Sequence, residues 1–229
     1  DIAITPSLPI IDAASEDVEV CEGESASLLA TTASAGAELR WYDSEVGGNL
    51  LATTASGETF TTSALSEDTT FYVASFLAGC TEESGRVAVE VTVNPLPESG
   101  DITVVGFDLP ICLPELLTIV PTATINRSFN YYLDANGTLP ITDGLVEDGI
   151  TYSINADGEL EVEGLTQADG PFRVYVSLVD AVTGCENAPG DLQVVDVTFD
   201  GGPEPTIALD PVTPDNIINA AEAGTTIAL

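Results

Sequence analysis

Four cysteines, Cys21, Cys80, Cys112 and Cys185, are the side chains of this sequence best placed for covalent or metal chemistry. Zinc needs four tightly grouped Cys or His ligands, and the chain has neither a CxxC pair nor a histidine. An even number of cysteines, with one pair in each half of the chain, instead reads as a disulfide framework in an oxidising compartment. The spacing predicts Cys21–Cys80 in the first half and Cys112–Cys185 in the second. Loops of this size contribute about 4 kcal/mol each in the chain-entropy treatment. That is large beside the roughly 5–15 kcal/mol that holds a small domain together. The plainer alternative is four buried free thiols.

Carboxylates are the other abundant functional group. The 229 residues hold 38 acidic side chains against four arginines, with no lysine or histidine, for a net charge of −34. Nucleic acid and anionic lipid are excluded as partners, since both require Lys or Arg to neutralise phosphate. Three readings of the acidity stay open: solubility in salty water, calcium as a cofactor, and a cationic partner. Asp134-Ala135-Asn136-Gly137 and Asn155-Ala156-Asp157-Gly158 resemble halves of calcium loops, and equally resemble ordinary hairpin turns. A stronger candidate metal set is Asp196, Asp200, Asp210 and Asp215, which with Glu204 flank the Gly201-Gly202-Pro203 hinge.

Catalysis finds little support. Without histidine or lysine there is no ordinary general base near neutral pH, no Ser-His pair and no Schiff base. A glycosidase-like carboxylate pair remains formally available, yet the acids fall at turns or on exposed strand faces. No catalytic residue is assigned, and the reading is of a protein that is not an enzyme. Asn126-Arg127-Ser128 and Asn136-Gly137-Thr138 fit the N-glycosylation pattern, which is common by chance.

The elements that would position these groups are strands. Val, Ile and Thr are abundant, and β-branched side chains suit a pleated surface. In 86–94, Val87, Val89, Val91 and Val93 alternate with Ala88, Glu90 and Thr92, the period of a half-buried strand. Further candidates in the first half are 17–20, 25–33, 38–43, 58–62 and 69–76. The second half offers 101–107, 116–123, 128–134, 150–155, 159–163, 172–180 and 191–199. Residues 1–16 read as a linker or the end of a preceding domain, 17–97 as a first sandwich and 98–202 as a second. Residues 203–229 read as a linker and the start of a third. No stretch approaches the roughly 18 apolar residues that span a bilayer. The first residues lack the basic and apolar regions of a signal peptide, so the chain is expected to begin inside a mature protein.

The halves repeat one another. Trp41-Tyr42-Asp43-Ser44 corresponds to Tyr131-Tyr132-Leu133-Asp134. The run Phe71-Tyr72-Val73-Ala74-Ser75, ending at Gly79-Cys80, corresponds to Val174-Tyr175-Val176-Ser177, ending at Gly184-Cys185. Trp41 and Tyr131 are therefore read as the core aromatics of two sandwiches, the alternative being an exposed platform for sugars.

Residues 17–97 resemble the Ig-like repeats of large secreted surface proteins of the Bacteroidota. Val20-Cys21-Glu22-Gly23, Arg40-Trp41-Tyr42-Asp43, Thr69-Thr70-Phe71-Tyr72-Val73, Gly79-Cys80 and Val89–Pro95 carry the likeness. The second half is similar but diverged, with Tyr131 at the Trp position. Residues 214–224 resemble the opening of another bacterial Ig-like repeat. The resemblance implies an all-β fold of tandem immunoglobulin-like antiparallel β-sandwiches. It also implies export to the cell surface, by the type IX route, in an adhesin stalk or gliding-motility filament. The expected partners are neighbouring Ig-like domains of the same chain, with surface glycans or other cells beyond them and no membrane insertion. The alternative function is a carbohydrate- or ligand-binding module.

Overall fold

The computed structural model describes residues 9–79, 82–107, 110–124 and 127–200. Cys80, Asn126, Glu204, Asp210, Asp215 and the 203–229 segment, read as a linker and the start of a third domain, lie outside them. By internal contacts the chain divides into two units. The first comprises Asp1–Pro97 with Val179–Asn187, and the second Glu98–Leu178 with Ala188–Leu229. Strands dominate both, and the helical elements among the described residues are two short 3-10 turns, Ser99–Asp101 and Gln167–Asp169.

The first unit contains β1 (Ala13–Ala14), β2 (Val18–Cys21), β3 (Ser25–Thr31), β4 (Ala37–Tyr42), β5 (Leu50–Ala55), β6 (Thr59–Ala64), β7 (Thr69–Leu77) and β8 (Val87–Asn94). One sheet has the order β1-β3-β6 and the other β2-β8-β7-β4-β5. The first strand thus changes sheets: β1 pairs antiparallel with β3, whereas β2 runs parallel to β8. Alternation decides what each sheet buries. On β4, Leu39 and Trp41 point into the core, and on β8, Val89 and Val91 do the same. Phe60 from the opposite sheet lies 5.2 Å from Trp41 and 5.8 Å from Phe71, ring centroid to ring centroid. The Trp41 indole N–H donates to Thr54 Oγ1 on β5 at 3.1 Å, so the buried indole has a polar partner.

Two departures from the sequence reading have simple causes. Residues 11–16, read as linker, belong to the sandwich: Ile11 and Ala14 pack on its core, and Asp12 and Ser15 N–H groups bond Thr31 and Leu29 carbonyls. Pro6 and Pro9 obscured that pairing in the sequence. The strand β5 went unread because it is a sheet edge, where Leu50 and Leu51 stay exposed and no clean alternation develops.

The second unit contains β9 (Ile102–Val104), β10 (Ile111–Cys112), β11 (Leu116–Ile119), β12 (Pro121–Ala123), β13 (Arg127–Tyr132), β14 (Pro140–Ile141), β15 (Val146–Glu147), β16 (Ile150–Ile154), β17 (Leu160–Glu163), β18 (Phe172–Asp180), β19 (Gln193–Val197) and β20 (Phe199–Asp200). Its sheets are β11-β17-β16-β15 and β14-β13-β18-β19, with the short pairs β9-β12 and β10-β20. The device of the first unit recurs, because β9 pairs antiparallel with β12 and β10 runs parallel to β20. Ile119, Tyr131, Leu160, Val162, Val174 and Val197 form its buried centre. The order of paired strands, together with the sheet-switching first strand, makes both units immunoglobulin-like sandwiches.

The centres of β7 and β18 follow the same burial pattern but differ in polar satisfaction. Buried Ser75 donates its hydroxyl to Thr32 Oγ1 at 3.3 Å, whereas the Ser177 Oγ, equally buried, meets no partner among the described residues. Ala74 holds the place in β7 that Ser177 holds in β18. An unsatisfied buried hydroxyl costs about 1–3 kcal/mol. Ser177→Ala is therefore expected to raise the second unit's stability by about 1 kcal/mol in urea unfolding, and Ser75→Ala to lower the first unit's by a similar amount. Equal losses in both variants would contradict the difference seen in their hydrogen bonding.

Candidate functional site

The covalent chemistry differs from the sequence reading. Cys21, at the end of β2, is bonded to Cys185, with a Cα–Cα distance of 5.6 Å and a sequence separation of 164. Cys112 is an exposed free thiol on β10, facing Asp200 on β20. Neither predicted pair, Cys21–Cys80 or Cys112–Cys185, can then form, since each contains one partner of the observed bond. The reason is local. The Asp180 N–H bonds Cys185 O at 2.9 Å and the Gly184 N–H bonds Asp180 O at 2.8 Å, closing a tight turn. That turn lies in the first unit, where the buried Asn187 side chain donates to Pro97 O at 2.9 Å. Cys185 is held within disulfide reach of Cys21 as a result.

The outward face of β4 carries the densest polar cluster. Glu38, Arg40 and Tyr42 alternate with the inward Leu39 and Trp41. Arg40 donates to Glu38 and Glu83 at 2.8 and 3.0 Å and lies 3.5 Å over the Phe76 ring. Tyr42 donates its hydroxyl to Glu83, while the Arg86 guanidinium stacks 3.4 Å over its ring. Arg86 also donates to Ser44 O at 2.5 Å and Gly47 O at 2.7 Å. Burial alone would raise the Glu83 carboxyl, but the Tyr42 and Arg40 hydrogen bonds outweigh it and hold it below the usual range. Burial likewise raises the Tyr42 phenol. This arrangement closes the sheet face over Tyr42 and leaves that ring only 8% exposed.

Each unit ends its aromatic strand with a capping aspartate. Asp43 Oδ1 accepts the Asn49 N–H at 2.8 Å and Oδ2 its side-chain amide at 2.7 Å. Gly48 sits at φ +72°, where a Cβ would run into the Asp43 carboxylate and the Ser44 hydroxyl. In the second unit Asp134 accepts N–H groups of Asn136, Thr138 and Leu139 and the Thr138 hydroxyl. Its oxygens thus serve their own turn, and the Asp134–Gly137 sequence acts as an Asx-type cap. In the 155–158 turn, Asn155 Oδ1 accepts the N–H groups of Asp157 and Glu159 at 3.0 Å.

The candidate metal aspartates are placed as follows. Asp196 on β19 accepts from two of the three guanidinium nitrogens of Arg173 on β18, Nε at 2.5 Å and Nη2 at 2.9 Å. Asp200 lies on β20, and Asp210 and Asp215 fall outside the described residues. Among the described residues no three His, Cys, Asp or Glu side chains gather as a metal site. Trp41 is fully buried, and Tyr131 is 1% exposed with its hydroxyl donating to Gly158 O at 2.7 Å. No helix among the described residues is long and apolar enough to cross a membrane.

The geometry defines a tandem of immunoglobulin-like sandwiches with a structural disulfide, features that fit an extracellular protein. Residues 6–95 match the family described as Ig-like domain CHU_C associated. No curated protein matches the chain. Among solved structures it is similar to the titin domains Z1Z2 in complex with telethonin, at 11% identity and a TM-score of 0.33, covering 86% of this chain and 98% of that one. Sidekick-1 immunoglobulin domains 1–4 are similar at 15% identity and a TM-score of 0.34, covering 84% of this chain and 48% of that one. The DIP-gamma IG1+IG2 structure gives 10% identity and 0.33, covering 84% and 98%. The fold assignment rests on strand order and on the family match.

The capping aspartates yield a pH test. Hydrogen bonds from the Asn49 backbone and side chain lower the Asp43 pKa. For Asp134 desolvation acts upward, but the Leu139 and Thr138 hydrogen bonds prevail and the net shift is downward. A carboxyl depressed in the folded state adds stability above its unfolded pKa, about 4, and loses it as pH falls through the folded value. Asp134→Ala should therefore melt below the parent chain at pH 7, with the gap closing as pH drops from about 4 downward. A gap that stays constant with pH would contradict the charge-assisted cap.

Proposed function

We propose that this chain is a non-catalytic structural segment of a large extracellular surface protein, a stalk that spaces an adhesive tip from the cell. The observation that carries the reading is the disposition of the aromatics. Trp41 and Tyr131, the side chains best suited to a sugar-stacking platform, are interior and spend their polar atoms on Thr54 and Gly158. The outward face at Tyr42 is closed by the chain's own Arg86 and Glu83. All four arginines are likewise engaged within the chain: Arg40 on Phe76, Arg86 on Tyr42, Arg127 over Phe129 and Arg173 with Asp196. A net charge of −34 keeps such a segment soluble and resists its self-association.

The test is substitution by length. In cells displaying the surface protein that carries this segment, an unrelated two-sandwich segment of equal length should preserve attachment. The isolated chain should show no saturable binding across a panel of mono- and oligosaccharides. Saturable binding of any saccharide in the panel would overturn the spacer reading in favour of a ligand-binding module.

A further inference from the structure

We infer that the Cys21–Cys185 bond is a mechanical shortcut, so that tension applied along the chain bypasses nearly everything between the two cysteines. The inference takes its biological weight from the spacer reading, while the load path itself follows from covalent connectivity. Force entering before residue 21 travels down the backbone to Cys21, crosses the sulfur–sulfur bond and leaves along the backbone from Cys185. Residues 22–184 form a closed loop outside that path. The loop holds β3 to β8 of the first unit and β9 to β18 of the second, including Trp41 and Tyr131.

Among the described residues, the elements under load are short. On the amino-terminal side they are β1 and β2, whose hydrogen-bond partners β3 and β8 lie inside the loop. On the carboxy-terminal side they are β19 and β20, whose partners β18 and β10 are also inside it. Peeling these edges lengthens the chain by little, because the four strands are short. Unfolding inside the loop adds no extension at all. Cys112 also lies inside the loop, and its oxidation state leaves the path unchanged.

The consequence is a spacer whose maximum length is set by redox state. Fully extended at roughly 3.5 Å per residue, the oxidised chain reaches about 23 nm between its ends, carried by residues 1–21 and 185–229. Reduction by a dithiol delivers two electrons and two protons, turns the disulfide into two thiols and returns the loop to the path. The reachable length then rises to roughly 80 nm.

Single-molecule force spectroscopy of the full 229-residue chain, held by handles at its two ends, reads this directly. Without reductant the final contour length should be short by about 55 nm relative to the same chain after dithiothreitol. Cys185→Ser should give the long contour with or without reductant. That readout survives even if the variant folds poorly, since an unfolded chain still reports its full extension. A non-reduced chain reaching the long contour would overturn the shortcut and leave the spacer reading standing. Saccharide binding by the isolated chain would defeat the spacer reading and leave the shortcut intact.

Discussion

Cys21 closes β2, and its sulfur is bonded to that of a residue 164 positions further along. Cross-linking residues so far apart removes more unfolded-chain entropy than a within-unit bond, about 5 kcal/mol by the loop-length relation. The bond ties the turn at Val179–Asn187 to the end of β2. Val179–Asn187 belongs to the first unit, where the Asn187 side chain donates to Pro97 O. The turn closes on backbone bonds between Asp180, Gly184 and Cys185, on Asp180 Oδ1 accepting the Val182 and Thr183 N–H groups, and on a Val179–Glu186 bridge.

Around that bond the chain uses one plan twice. A strand brings an aromatic into the core, a second aromatic follows on the strand, and an aspartate folds the next turn onto its own oxygens. Trp41, Tyr42 and Asp43 do this in the first unit, and Tyr131, Tyr132 and Asp134 in the second. The substitution of Tyr for Trp is accommodated because each buried ring finds an acceptor for its one donor, Thr54 Oγ1 for the indole and Gly158 O for the phenol. The few cations are spent on aromatic rings and carboxylates of the chain itself. With 38 acidic side chains against four arginines, the chain's electrostatics are dominated by carboxylates.

The fold class was legible because alternation is a local property. Val87 to Val93 declare their faces without reference to any other strand, and the repeated aromatic and Gly-Cys signatures declare two like units. Edge elements were not legible. In Leu50–Ala55 the half-buried positions are Ala52 and Thr54 while Leu50 and Leu51 are exposed, so its residue types show no apolar alternation, and Ala13–Ala14 is too short to show any period. The disulfide pairing failed for a different reason. Equivalence between repeats says that Cys21 and Cys112 occupy like positions, each on a strand parallel to the last strand of its unit, but it says nothing about which thiols are neighbours in space. Likewise nothing near Tyr42 in sequence announces Glu83 or Arg86, which reach its hydroxyl and ring from more than forty residues away.

The pairing of Cys21 is the point on which this account turns, and non-reducing peptide mapping reads it most directly. The native chain is alkylated before digestion, so that free thiols are marked and bonded ones are not. The structure predicts one cross-linked species containing Cys21 and Cys185, with Cys112 alkylated. A cross-linked species joining Cys21 to Cys80, or Cys112 to Cys185, would contradict it.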